Sequence, residues 1–172
     1  MTERPVLYLV VCAAGPAEHI DELVDLLIAD GWRVCLIVSP TAAPWLDRAA
    51  LHDKTGYLVR VEWRMPGDPE PHPPADVVVA APVTFNTMTK WALGINDTLA
   101  LGVLNESLGA GLPIVAFPHV KAELAAHPAY AGHVAVLRAA GVVVAEGKVV
   151  NPAPGRRRWD VVNEALRSLH PR

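Results

Sequence analysis

Thr84, Asn86 and Thr87 stand close together, straight after the apolar run Val77–Val79 and Pro82. Two hydroxyls and one amide provide the donors and acceptors that hold a phosphate or the edge of a heterocyclic ring. Two further turns follow apolar runs in the same way. Ser39-Pro40-Thr41-Ala42 comes after Trp32–Val38 and places two hydroxyls at a helix start, where unpaired amides favour an anion. Plain helix capping explains Ser39 equally well. Ala13-Ala14-Gly15-Pro16 follows Val6–Cys12, and its small residues let a ligand approach the backbone, although a tight strand-to-helix turn asks for the same residues. It lacks a GxGxxG spacing, so a dinucleotide pyrophosphate is not indicated.

The elements that must position these turns alternate. Val6–Cys12, Trp32–Val38, Tyr57–Trp63, Val77–Ala81, Pro113–Phe117 and Val142–Ala145 read as strands. Between them, Ile20, Leu23, Val24, Leu27 and Ile28 repeat at helical spacing up to Gly31, and a short helix runs from Ser39 towards Ala50. A long helix is expected from Asn86 to about Leu108, and Val120–Ala140 is helical with a break at Pro128. Trp159–Leu169 closes the chain as an amphipathic helix, with Arg156-Arg157-Arg158 as its solvated start. This alternation predicts an α/β fold: a Rossmann-like, doubly wound parallel sheet of about six strands in a single three-layer domain over residues 1–172. Ligands in such sheets sit at the carboxyl ends of the strands, where the three turns lie. Met65–Pro74, with Pro66, Pro69, Pro71, Pro73 and Pro74, is the one irregular loop.

Composition sets the outer bounds. The chain has 172 residues, 52% of them apolar, which suffices for one well-buried domain. A formal net charge of −3 gives no reason to expect nucleic acid or an anionic membrane as partner. No run approaches the roughly 18 uninterrupted apolar residues of a membrane helix. The start of the chain has no secretory pattern, and Cys12 and Cys35 fit no zinc spacing. Buried, reduced thiols in a cytoplasmic protein without a metal are the expectation.

Pro82-Val83-Thr84-Phe85-Asn86-Thr87, followed by Lys90, Gly94 and Asp97, resembles the signature of the homo-oligomeric FMN-containing cysteine decarboxylases. That family includes peptidyl-cysteine decarboxylases and phosphopantothenoylcysteine decarboxylase. Ser39-Pro40-Thr41-Ala42 with Trp45 resembles its second-strand motif, and the likeness extends from Val6 to about Ala145. The resemblance implies FMN as cofactor, with Gly15, Ser39, Thr41, Pro82, Thr84, Asn86 and Thr87 around it. It further implies a small-molecule or peptide substrate, and a homotrimer or a multiple of one.

The chain departs from that pattern where the family does its chemistry. The family's catalytic histidine lies fourteen residues before the signature proline, and Asp68 stands there, with His72 nearby. Its substrate-orienting asparagine is replaced by Lys121 in Pro118-His119-Val120-Lys121, and no cysteine lies in 147–155, where one branch carries a reactive thiol. His72, Asp68 and Lys121 are therefore the catalytic candidates. The expected function is that of a divergent FMN enzyme oxidising or decarboxylating a small thiol or peptide C-terminus. The alternatives are a flavin-holding or regulatory subunit without catalysis, and a Rossmann-like domain binding another nucleotide.

Overall fold

Runs such as Val6–Val11 and Val77–Val83 carry no polar alternation, and strands of that kind are stable only when both faces are covered. In the computed structural model, which describes residues 4–145 and 159–169, both faces are covered. The strands β1 (Val6–Val11), β2 (Arg33–Val38), β3 (Val77–Val83), β4 (Ile114–Pro118) and β5 (Val143–Val144) run parallel in the order β2-β1-β3-β4-β5. Among the described residues the helices are α1 (Ile20–Ala29), α2 (Arg48–Thr55), α3 (Phe85–Ala92), α4 (Leu99–Gly109), α5 (Ala122–Ala125), α6 (Pro128–Ala139) and α7 (Asp160–Leu169).

Leu7, Leu9 and Val11 share one core with Leu23 and Leu27 of α1 and with Val162 and Leu166 of α7. Val10, and Cys12 just beyond β1, join the opposite core with Met88 and Trp91 of α3, Leu104 of α4 and Leu137 of α6. Fully burying one such side chain contributes about 1.5–3 kcal/mol, so these two layers fix the sheet on which the loops stand. The chain winds outward from β1 to β2, then crosses back to β3 and continues to β5. The winding direction therefore reverses between β1 and β3, which opens a crevice at their carboxyl ends.

Three expectations need correction. The sheet has five strands among the described residues, not six, because Tyr57–Trp63 forms no strand. Only Arg60 pairs with the edge strand β2, through Arg60 N to Leu36 O at 3.0 Å and Val38 N to Arg60 O at 2.8 Å. Beyond it the chain leaves the edge, and the Trp63 indole lies on Gly102 of α4. The single long helix from Asn86 is two helices, since Gly94 adopts φ +70° and Thr98 caps a new start by accepting from Leu101 N at 3.3 Å. The helix expected directly after Ser39 begins later, as a 3₁₀ turn at Ala43–Trp45 and then α2, capped by Asp47. The break at Pro128 is present, with Pro128 opening α6. Arg156-Arg157-Arg158 and the 147–155 segment lie outside the described residues.

Candidate functional site

The three turns all leave the carboxyl edge of the sheet, from β1, β2 and β3. Between them lies a cavity of about 420 Å³. Ser39, Thr41, Thr84, Asn86 and Thr87 line it together, although the second and third turns lie far apart in the chain. Each is placed by local rules. Ser39 accepts from Ala42 N through Oγ at 3.3 Å, and its carbonyl accepts from Ala42 and Ala43 at 3.0 Å, which curls the second turn towards the cavity. Thr84 has extended backbone and caps α3, with its Oγ1 accepting from Thr87 N at 3.3 Å. The amino-terminus of α3 therefore faces the cavity, with Asn86 exposed in its first turn.

Below the cavity runs a short hydrogen-bonded chain. The Thr84 hydroxyl donates to Thr87 Oγ1 at 3.2 Å, and the Cys12 thiol donates to the same oxygen at 3.4 Å. Thr87 accepts both, so its own proton remains to be donated. Burial raises the Cys12 thiol well above its ordinary value, opposed by the bond to Thr87, so Cys12 is a neutral donor and not a thiolate.

Two cofactor candidates do not line the cavity. Gly15 opens a 3₁₀ turn, and a Cβ added there would meet nothing within 4 Å; Ala13 is the first-turn residue on the cavity wall. Pro82 lies inside β3, where its carbonyl accepts from Cys12 N at 3.0 Å and ties the ends of two strands together.

The catalytic candidates lie elsewhere in this chain. His72 is 3% exposed, its Nε2 is 2.7 Å from Leu58 O, and the rings of Tyr8 and Tyr57 meet it edge-on. Tyr8 belongs to the amino-terminal half of β1, whereas the cavity begins beyond the strand's other end. Nε2 faces a carbonyl and so carries the proton, while Nδ1 is buried without a partner. Burial lowers the His72 value, so the ring is neutral near pH 7. A solvent-facing histidine in a proline-rich loop, the plainest expectation for this residue type, is therefore not what the fold contains. Asp68 is exposed and braces its own turn, accepting from Met65 N at 3.0 Å while its carbonyl accepts from Arg64 at 2.8 Å. Lys121 stands exposed at the start of α5, past the end of β4, and does not line the cavity.

Sequence reasoning left out Cys12, Lys90 and Thr98 as lining residues. Thr98 carried a readable signal, since a threonine four residues after Gly94 marks a new helix start. His119 also reaches this edge of the sheet, donating its backbone N–H to Val83 O at 2.9 Å, and burial lowers its value. Among the described residues no group of His, Cys, Asp or Glu is arranged for a metal ion. No helix among them is long and apolar enough to cross a membrane.

Comparison with known proteins agrees with this fold. The coenzyme A biosynthesis bifunctional protein CoaBC of Thermococcus kodakarensis is 30% identical over 119 residues, covering 69% of this chain and 28% of that protein. CoaBC of Mycobacterium bovis is 39% identical over 82 residues, covering 48% of this chain and 18% of that protein. The chain thus spans less than a third of the curated relatives it matches. Among solved structures, a PPC decarboxylase mutant complexed with pantothenoylaminoethenethiol superposes with a TM-score of 0.77 at 19% identity, covering 97% of this chain and 98% of its own. The FMN-dependent cysteine decarboxylase TvaF from thioviridamide biosynthesis gives 0.75 at 24% identity, covering 84% and 91%. These likenesses show a shared fold. The family model described as Flavoprotein matches residues 1–164, and the chain belongs to the flavoprotein family.

Proposed function

We propose that this chain binds FMN in the cavity at the carboxyl ends of β1, β2 and β3. The observation that carries this reading is the convergence of Ser39, Thr41, Thr84, Asn86 and Thr87, from two distant turns, on one cavity. Hydroxyls and helix amides are the donors a single phosphate takes, and an amide beside them suits the polar edge of a flavin ring. The absence of a glycine fingerprint argues for one phosphate over a pyrophosphate. When bound, FMN supplies electron and hydride acceptance, and the protein supplies binding and orientation.

In this reading Asn86 orients the ring edge, Thr87 donates its free proton, and the hydroxyls of Ser39 and Thr41 close the opposite wall. The substrate class that fits the fold's solved neighbours is a small thiol or a peptide ending in cysteine, with oxidation or decarboxylation as the reaction. A second reading, a flavin-holding subunit without catalysis, is favoured by one observation: within the chain, neither His72 nor Asp68 lines the cavity. The working form in either reading is a cytoplasmic homo-oligomer, a trimer or a multiple of it. Titration of the purified protein with FMN, followed by quenching of flavin fluorescence, tests the cofactor. Saturable uptake approaching one FMN per chain is expected, and no uptake sinks the reading.

A further inference from the structure

Lys90 is the cation among the described residues that line the cavity, and no carboxylate lines it with them. It follows Asn86 by one helical turn on α3, so the two side chains share a face. Its ammonium pairs with Asp97 from the connection between α3 and α4, and the two side chains are 29% and 49% exposed. A pair that open to water is weakly held, so the ammonium remains available to a stronger anion. Thr84 and Thr98, which cap α3 and α4, line the same cavity, and the positive ends of two helices therefore face the space that Lys90 borders.

This arrangement asks for a negatively charged ligand group. Oxidised flavin has a neutral ring, so the formal charge that FMN brings into the cavity is its phosphate. We infer that Lys90 is a phosphate-binding residue that makes the site select FMN over riboflavin, a deepening that rests on the FMN reading above. The phosphate draws the ammonium from Asp97, a partner it can leave at little cost. If Lys90 served only to tie α3 to the following connection, its loss would weaken both ligands alike.

The test is titration of wild type, Lys90→Met and Lys90→Gln with FMN and with riboflavin, each at low and high salt. Wild type is expected to prefer FMN. Both variants should lose about 10- to 100-fold in FMN affinity with riboflavin affinity unchanged, and their FMN binding should depend less on salt. Lys90→Arg should retain most of the preference. Equal losses for both ligands, or no loss for FMN, overturn the inference while leaving the cofactor reading standing. If wild type binds neither flavin, the cofactor reading itself has failed and this inference falls with it.

Discussion

Asn86 and Thr87 sit in the first turn of α3 for one physical reason: Thr84 caps that helix and aims its amino-terminus at the cavity. Among the described residues Asn86 offers the only side-chain amide on the wall, so it is the group best able to pair with a ring edge. Asn86→Ala should weaken FMN binding by about 1–3 kcal/mol, because the buried ring atom it serves would be left unpaired. Equal dissociation constants for variant and wild type would remove Asn86 from the site. His72 has a different consequence. Its folded-state value is lowered by burial from the ordinary 6.5, so the folded protein resists a proton that the unfolded chain accepts. Well above pH 6.5 both states are neutral and His72 contributes no pH dependence. As pH falls below that point the unfolded state gains protons first, and stability declines until the folded value is reached. Denaturant unfolding between pH 7 and about pH 5 should show this decline, and His72→Phe should flatten it. An unchanged slope in the variant would mean that other groups, such as His119, carry the acid sensitivity.

At the scale of elements, the loop after β2 is held to the rest of the fold by specific contacts. Arg60 exchanges backbone bonds with Leu36 and Val38 of β2, Tyr8 donates to Pro73 O at 2.8 Å, and Trp63 lies on Gly102, while the Arg60–Glu70 pair at 2.8 Å braces the loop internally. A Cβ on Gly102 would fall 2.0 Å from Trp63 Cη2, so Gly102→Ala must push the indole off α4. Alanine favours the helix by roughly 0.5–1 kcal/mol, and displacing the indole offsets that gain while Trp63 is present. The substitution should therefore stabilise a Trp63→Ala protein more than it does wild type, and additive effects in that double-mutant cycle would refute the contact. Thr98→Ala should cost about 0.5–2 kcal/mol by uncapping α4, read from the shift in denaturant midpoint at constant m. These elements also show how much was legible in the sequence. The polar turns were readable because each follows an apolar run that can only be a buried strand. Lys90 and Cys12 were not assigned, because their place on the cavity wall depends on helix rotation and on where β1 ends. The helix break at Gly94 and Thr98 was present in the sequence, but apolar residues at helical spacing on both sides hid it. Tyr57–Trp63 has strand-like residues, yet only Arg60 pairs with β2 and Trp63 lies against Gly102 of α4.

For the whole molecule, the proposed cofactor cradle and the chemistry done in it separate. The winding reversal between β1 and β3 opens the crevice whatever the proline-rich loop does, so the cavity is present although Asp68 and Lys121 stand where the resemblance places a histidine and an asparagine. Acid-base groups and orienting groups each contribute about 10²–10⁴-fold, so losing both should leave phosphopantothenoylcysteine undecarboxylated. Measured carbon dioxide release well above a protein-free control would show that other residues supply those roles. The most direct measurement for the account as a whole is identification of the chromophore that the freshly purified, undenatured protein carries. The account predicts a yellow protein that, on denaturation, releases FMN in an amount approaching one per chain. A colourless protein that also refuses added FMN, or one that releases FAD or a nicotinamide dinucleotide, would contradict it.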